Sequence, residues 1–287
     1  LDKDPVKSMR EYGTYRQPRG TWSDDSSLTF CLMEGLCNGF DLETVAIKFL
    51  QWKNESYWTP HGSVFDIGMA TRQAINEIGK GTRADLCGGM DEYSNGNGSL
   101  MRILPMAFYL YSESDIHERY LKVKAVSSIT HAHIRSVIGC FIYVEYAIKL
   151  IEGKDKFEAL TEVQNAVPQF LESIEINPVE VKLYNRVLIG NIADVKREKI
   201  SGSGYVLHAL EASVWSLLTS NTYGETVLKA VNLGEDTDTT AAIAGGLAGV
   251  YYGLDNQLDF WRAQVARFED IESLIERFSK NIISNEN

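Results

Sequence analysis

The sequence predicts an all-α fold, and three features of its 287 residues indicate this class. Apolar residues recur at spacings of three and four along most of the chain, which is the repeat of an amphipathic helix. Clear alternation of apolar and polar residues between turn signals, which is typical of strands, is absent. Glycine, proline, asparagine or serine stands at most of the breaks, where helices usually end.

The predicted helices follow from this repeat in chain order. They lie near residues 26–38, 41–53, 66–79, 100–111, 115–129, 134–150, 178–192, 205–219, 224–233, 238–252 and 267–283. The first follows a Ser/Asp cluster and the third follows Asp66, and both residue types favour helix starts by capping. The stretch "SGSGYVLHAL", around the start of the helix near 205–219, could include a short extended piece. The alanine- and glycine-rich helix near 238–252 favours close packing against a neighbouring helix.

The clearest repeats lie in two of these helices. They are Leu100, Ile103, Leu104, Ala107, Phe108 and Tyr111, followed by Ile134, Val137, Ile138, Phe141, Ile142, Tyr146 and Leu150. No proline- or serine-rich linker and no repeat of roughly 30 to 45 residues interrupts the chain. We therefore expect a single domain over residues 1–287. The longest polar segment, residues 79–99, lies between two predicted helices, and a loop of that length is usually functional.

The formal net charge of −11, from 28 basic and 39 acidic residues, argues against a nucleic-acid partner or an anionic membrane surface. A small anionic ligand could still bind where metal ions or helix N-termini supply positive charge. No run of about 18 apolar residues predicts a membrane span, and the first residues lack the apolar core of a signal peptide. The four cysteines show neither CxxC pairs nor zinc-site spacing. We expect a reduced cytoplasmic protein, with a monomer as the default.

Two acidic clusters each precede a predicted helix, one in "GTWSDDSSLTF" and one in "NLGEDTDTT". Their oxygen-bearing residues are Ser23, Asp24, Asp25, Asp236, Asp238 and Thr239. Taken singly, each cluster is more typical of helix capping than of a metal site. If the two face each other, four carboxylates converge and raise one another's pKa values unless cations are bound. All-oxygen ligation favours Mg²⁺ or Mn²⁺ over zinc, which prefers His and Cys.

Six stretches resemble, in the same order, motifs of the ADP-ribosylglycohydrolase family, and in particular its branch that includes dinitrogenase reductase-activating glycohydrolase. They are "TWSDDSSLT", "FDIGMATRQAI", "SNGNGSLMRILPMAF", "ITHAHI", "GYVLHALEASVWSLL" and "AVNLGEDTDTTAAIAGGLAGVYYG". The combination of S/T-D-D with a later D-x-D-T is specific, and the motifs extend over nearly the whole chain. Ser23 stands where many relatives have threonine, so the hydroxyl is retained.

The resemblance implies a compact single-domain orthogonal multi-helix bundle that hydrolyses the N- or O-glycosidic bond between ADP-ribose and an acceptor such as arginine or serine. It implies two Mg²⁺ or Mn²⁺ ions held by the six residues of the acidic clusters, with Asp238 bridging. The partner would be an ADP-ribosylated protein or a small-molecule ADP-ribose conjugate. Relatives usually begin with an apolar helix carrying a "GDALG"-like motif, followed in some branches by a catalytic glutamate. This sequence starts after that motif, so we expect activity to depend on whether the protein has it.

The resemblance also implies ligand contacts. In "SNGNGSLMR", Asn97, Gly98 and Ser99 would contact phosphate or ribose, and the glycines permit close approach of the backbone to a diphosphate. By itself such a stretch is usually an ordinary turn. Asp66 becomes a candidate for orienting or deprotonating the attacking water, with Gly68 leaving room for the ligand, and its alternative role is that of a helix N-cap. With Asp66, the carboxylates implied in catalysis are Asp25 and Asp238.

Three further residues are assigned in the same way. His131, in "ITHAHI", is by itself more typical of a packed or surface histidine, whereas the resemblance implies contact with phosphate or ribose. His133 is expected to be structural. Gly204 and Tyr205 follow "SGS", and Tyr205 could either stack on adenine or pack in the core.

The sequence leaves three functions open. The favoured one is an ADP-ribosyl hydrolase, with arginine as the preferred acceptor because of the resemblance to the nitrogenase-regulating branch. The second is a non-catalytic relative that binds ADP-ribose or has become structural. The third is a metal-dependent phosphoesterase that acts on the pyrophosphate.

Overall fold

The computed structural model describes residues 4–253 and 259–284, and this part contains fourteen α-helices and no β-strand. The all-α prediction is confirmed. The helices are α1 (Asp24–Leu36), α2 (Leu42–Glu55), α3 (Met69–Gly79), α4 (Pro105–Leu110), α5 (Ile116–Ser128), α6 (Ile134–Ile151), α7 (Lys156–Ser173), α8 (Pro178–Lys182), α9 (Asn185–Leu188), α10 (Val206–Leu218), α11 (Tyr223–Val231), α12 (Thr237–Tyr252), α13 (Asp259–Arg262) and α14 (Phe268–Ser284). Short 3₁₀ helices lie between some of them.

Helix α6 forms the centre of the core. Every residue from 136 to 148 is buried, in keeping with its largely apolar sequence. Helices α4, α5, α7, α10 and α12 pack around it. Tyr120, Phe141 and Phe170 join α5, α6 and α7 through ring contacts at centroid distances of 5.3 to 5.5 Å. The surrounding helices are therefore held at fixed positions relative to one another.

The alanine- and glycine-rich helix α12 packs closely against its neighbours, as its composition predicts. A Cβ atom on Gly246 would lie 2.7 Å from the Tyr143 hydroxyl and 2.8 Å from a methyl carbon of Leu104. Only a residue without a side chain therefore fits between α12 and α6 at this level. Helix α12 also contacts α1. This contact places the two helices that follow the acidic clusters side by side.

Helix α7 is present although the sequence pattern does not predict it. Its N-cap Asp155 accepts a hydrogen bond from the Phe157 N–H at 2.9 Å, which is an ordinary helix start. Pro168 lies inside the helix, and an internal proline normally interrupts one. Burial of the apolar side of α7 against α6 compensates for that interruption.

Two predicted helices are wrong as continuous elements. The stretch near 178–192 forms the short helices α8 and α9 followed by a 3₁₀ turn at Ile192–Asp194. The stretch near 100–111 begins with a 3₁₀ turn at Leu100–Arg102, and α4 starts afresh at Pro105. Proline favours the first turn of a helix because its missing N–H would have no partner there anyway.

All four cysteines are free and buried. Within the described residues, no helix has both the length and the apolar character needed to cross a bilayer.

Candidate active site

The contact between α1 and α12 brings the two acidic clusters together. Asp24 and Asp25 lie in the first turn of α1, with exposed fractions of 8% and 3%, and Asp238 lies in the first turn of α12. Burial raises the pKa of Asp24 to about 7, and the nearby carboxylates of Asp66 and Asp238 add to the effect. Burial, followed by the charges of Asp24 and Asp238, raises the pKa of Asp25 well above its usual value. Carboxylates that are far apart in the sequence therefore repel one another in the folded protein.

Asp238 and Asp236 form the second side of this cluster. Asp238 is exposed to solvent on one side. The protein atoms around it remove part of its hydration and raise its pKa, and the negative charges of Asp236 and Asp66 add to the effect. The side-chain amide of Asn97 donates a hydrogen bond to Asp236 Oδ2 at 2.8 Å. This bond links the acidic cluster to the glycine-containing loop of residues 95–99, which we call the glycine loop.

The N-cap side chains of α1 and α12 make no capping bonds. Ser23 occupies the N-cap of α1, but its hydroxyl donates to Asp25 Oδ2 at 2.5 Å and makes no capping bond. Asp236 occupies the N-cap of α12, and its side chain also makes no capping bond. Asp25 Oδ1 is buried without a hydrogen-bond partner. A buried acceptor without a partner is costly and indicates that a ligand of the site completes its contacts.

The chemistry of these residues fits a hard divalent cation. Carboxylate and hydroxyl oxygens are the protein ligands that Mg²⁺ and Mn²⁺ prefer. A bound cation would offset the repulsion among Asp24, Asp25 and Asp238, and it would give Asp25 Oδ1 a partner. In the described part of the chain, no group of three or more His, Cys, Asp or Glu side chains is arranged to hold a metal ion as it stands. Metal binding would therefore require these side chains to turn towards the ion.

Asp66 joins the cluster from the loop before α3. It does not cap that helix, since Gly68 occupies the N-cap position. The backbone N–H of Gly68 instead bonds the carboxylate of Asp24. A hydrogen bond from the Tyr15 hydroxyl to Asp66 is the main cause of a raised Tyr15 pKa, so this phenol stays protonated. No sequence motif singles out Tyr15, because it lies in an irregular segment before α1.

The glycine loop lies against the segment that precedes α10. The Asn97 N–H donates to the Gly204 carbonyl at 2.9 Å, and Gly96 and Tyr205 form an isolated antiparallel bridge. Within the stretch "SGSGYVLHAL", the extended piece that the sequence allows is limited to this bridge at Tyr205, and α10 begins at the next residue. A Cβ atom on Gly204 would lie 3.0 Å from Asp236 Oδ2, so a larger residue would crowd the acidic cluster.

Gly98 lies directly against His131. A Cβ atom on Gly98 would lie 2.7 Å from His131 Cε1 and 3.1 Å from Thr71 Oγ1. His131 is 3% exposed, and its burial, together with the positive charge of Arg102, lowers its pKa to about 3. The structure thus brings the predicted ligand residues Gly98 and His131 into contact, with a neutral imidazole beside the loop.

The hydroxyl of Ser99 is not free to contact a ligand. Ser99 is fully buried, and its Oγ shares a hydrogen bond of 3.0 Å with the Ser127 hydroxyl and accepts another from the Cys140 thiol at 3.3 Å. A ligand contact from Ser99 would therefore have to come from its backbone. The structural role predicted for His133 is confirmed, because its side chain caps α6 by accepting from the Arg135 N–H at 3.2 Å.

Tyr205 is half-buried at the edge of the core. Its ring meets the ring of His208 edge-on, with centroids 5.2 Å apart, and its side chain hydrogen-bonds Arg135. Arg135 is in turn held by an ion pair with Glu180 at 2.6 Å. The ring therefore packs against the core, which is one of the two alternatives that the sequence leaves open for Tyr205. Adenine stacking stays a prediction.

We expect Gly98→Ala to lower the free energy of unfolding by about 1–3 kcal/mol, because the new methyl group would overlap the His131 ring. Chemical denaturation measures the effect. Gly96→Ala is the matched control in the same loop, since its Cβ atom would meet its nearest neighbours at an ordinary 3.7 Å. Equal stability of the two variants would contradict the close contact between Gly98 and His131.

The chain is similar to known proteins over its whole length. A family model for ADP-ribosylglycohydrolase matches residues 1–287. Among solved structures, one titled "ADP-ribosylglycohydrolase-related protein complex" is similar with a TM-score of 0.79 and 26% identity, over 97% of this chain and 88% of that chain.

Two curated relatives show the similarity in sequence. ADP-ribosylarginine hydrolase Tri1 of Pseudomonas putida (strain GB-1) is 31% identical over 281 residues, which cover 95% of this chain and 70% of the relative. ADP-ribosyl-[dinitrogen reductase] glycohydrolase of Rhodospirillum rubrum is 24% identical over 262 residues, which cover 90% of this chain and 78% of the relative.

Proposed function

This chain belongs to the ADP-ribosylglycohydrolase family, and we propose that it releases ADP-ribose from modified arginine side chains with two Mg²⁺ or Mn²⁺ ions bound. Its family and its relatives make it an ADP-ribosyl glycohydrolase enzyme. The acceptor and the metal ions are the proposed part. The observation that carries the proposal is the convergence of Asp24, Asp25, Asp66 and Asp238 in one cluster of mutually repelling carboxylates.

The ions would be held by the two acidic clusters. Their ligands would be Ser23, Asp24, Asp25, Asp236, Asp238 and Thr239, with Asp238 shared. When bound, such ions supply positive charge that can hold the hydroxyls of the scissile ribose and acidify water. The raised pKa values of the acidic residues and the unpartnered Oδ1 of Asp25 support this assignment, because a cation relieves both.

Asp66 is the carboxylate that we assign to the attacking water. It belongs to the carboxylate cluster but not to the six proposed metal ligands, so it can accept a proton. The hydroxyl of Tyr15 holds it through a hydrogen bond. In the proposed reaction the bond between ribose C1″ and the guanidino nitrogen breaks, and its electron pair leaves with the arginine side chain as a neutral guanidine, which then takes up a proton from solvent. The water oxygen bonds to C1″, and Asp66 takes the proton of the water.

The remainder of the ligand would lie along the glycine loop. Backbone N–H groups of Gly98 and Ser99 and the ring of His131 would contact the diphosphate without any lysine. Gly204 would leave room beside the loop, and Tyr205 would offer its ring to adenine.

Two observations favour arginine as the acceptor. The relative from Pseudomonas putida is named an ADP-ribosylarginine hydrolase, and its similarity covers 95% of this chain. The net charge of −11 also favours a cationic acceptor over a neutral one.

The test is a substrate panel in which ADP-ribose is linked to arginine, serine or an acetyl group. We expect the purified protein with Mg²⁺ or Mn²⁺ to release intact ADP-ribose from the arginine peptide, and we expect a chelator to stop the reaction. Mass spectrometry identifies the product. AMP as the product would indicate a phosphoesterase instead. Binding of ADP-ribose without turnover, by protein that includes any segment preceding residue 1, would indicate a non-catalytic relative.

A further inference from the structure

We infer that Arg102 and Thr130 act as positioning residues that fix His131 as a neutral imidazole with its proton on Nε2, directed at a ligand oxygen beside the glycine loop. The inference rests on the proposed function only for the identity of the ligand, which would be ADP-ribose. The arrangement of protons follows from the hydrogen bonds of these three residues.

Arg102 is a fully buried cation whose hydrogen-bond acceptors in the described part of the chain are all uncharged. It donates to the Gly98 carbonyl, to the Val126 carbonyl at 3.4 Å and to Thr130 Oγ1 at 2.6 Å. Burial lowers the pKa of Arg102 to about 10, so the guanidinium is still charged at neutral pH. A buried charge without a counter-ion in contact is costly. The three bonds tie one guanidinium to the glycine loop and to the residue before His131.

The hydroxyl of Thr130 decides the tautomer of His131. An arginine can only donate, so Thr130 Oγ1 accepts from Arg102 and has one proton left to donate. Among the described residues, the acceptor within reach of that proton is His131 Nδ1, which lies 2.8 Å from Thr130 Oγ1. If Nδ1 donated instead, the Thr130 proton would stay buried without an acceptor, at a cost of about 1–3 kcal/mol. Nδ1 therefore accepts, and the ring proton sits on Nε2.

The Nε2 edge of the ring faces the glycine loop. Nε2 lies 3.2 Å from the position that a Cβ atom would take on Gly98 and 3.7 Å from that on Gly96. The other ring nitrogen of His131, Nδ1, is hydrogen-bonded to Thr130. The hydrogen bonds of the described residues leave Nε2 without a protein partner. The lowered pKa of His131 keeps the ring uncharged through the neutral range. Nε2–H is thus a fixed donor for a phosphate or ribose oxygen, and its contact needs no proton uptake.

Nitrogen NMR tests the tautomer directly, without ligand or metal. The full chain is labelled with ¹⁵N-histidine, and His131 is identified among the five histidines by the signals lost in His131→Gln. We expect an unprotonated Nδ1 and a protonated Nε2, unchanged between about pH 5 and pH 8, whereas an ordinary histidine titrates near pH 6.5. The opposite tautomer, or titration in this range, would overturn the inference.

Two variants separate the hydroxyl from the size of residue 130. Thr130→Val removes the hydroxyl at nearly constant volume, and Thr130→Ser keeps it. We expect Thr130→Val to mix the two tautomers and to weaken binding of free ADP-ribose with Mg²⁺ by about tenfold. Thr130→Ser should retain the wild-type tautomer and affinity to within about twofold. A wild-type tautomer and affinity in Thr130→Val would contradict the positioning role. A fixed tautomer in a protein that hydrolyses no ADP-ribose linkage would contradict the proposed function alone.

Discussion

Asp238→Asn is expected to lower kcat/KM for ADP-ribosylarginine by about a thousandfold or more, because it removes a charge that the transition state and the cations would both require. Asparagine has the same size as aspartate, so the fold at the start of α12 should not change. The measurement is the rate of ADP-ribose release at saturating Mg²⁺. Binding of free ADP-ribose in the presence of Mg²⁺ should be lost as well.

Glu235→Gln is the matched control. Glu235 is exposed on the same loop, and its carboxylate accepts from the Ser201 hydroxyl at 3.4 Å. Its substitution changes the net charge equally, but it should leave kcat/KM within about twofold, as expected for a surface residue. The raised pKa of Asp238 shows that its charge is unfavourable in the metal-free fold, so Asp238→Asn should be at least as stable as wild type. Retention of half of the activity by Asp238→Asn would exclude Asp238 from the catalytic machinery.

The fold is predictable from sequence where local pattern and burial agree. Helix α6 is buried on all sides and is apolar over most of its length, so its sequence clearly predicts a buried helix. Helix α7 is not predicted because a proline such as Pro168 usually marks the end of a helix. In the structure, packing against α6 keeps the helix continuous through Pro168. Near residues 178–192 the apolar spacing persists while the backbone turns. Spacing alone does not report such a turn.

The candidate site is predictable only in pieces. Each acidic cluster is visible because its residues are adjacent in the sequence, but their convergence depends on how α12 packs on α1. The resemblance to known proteins supplied that long-range link. Tyr15 and Arg102 carry no such signal. An arginine in a sequence is normally read as a surface residue, and only the packing of the helices around it buries its guanidinium.

In the metal-free protein, we expect Asp24→Asn to be more stable than wild type at pH 8, by up to about 4 kcal/mol. The pKa of Asp24 is about 7 in the folded protein, against about 4 in an unfolded chain, so folding favours its protonated form. The stability that wild type gains from protonating Asp24 is therefore fully present below about pH 4, and it is lost as the pH rises through 7. Urea denaturation in a chelator, at several pH values, should show the two proteins converging towards pH 4.

Mg²⁺ should narrow this difference. A cation that binds the folded protein at a hundred times its Kd adds about 2.7 kcal/mol, and wild type should gain more than Asp24→Asn because it keeps the full set of carboxylates. Asp41→Asn is the control of opposite sign, because the Thr44 hydroxyl and backbone N–H groups lower the pKa of Asp41 and make its charge favourable. That variant should gain nothing at pH 8. If Asp24→Asn is less stable than wild type without metal, the carboxylates of this site do not destabilise the fold by repulsion. If Mg²⁺ stabilises both proteins equally, the proposal of bound cations fails.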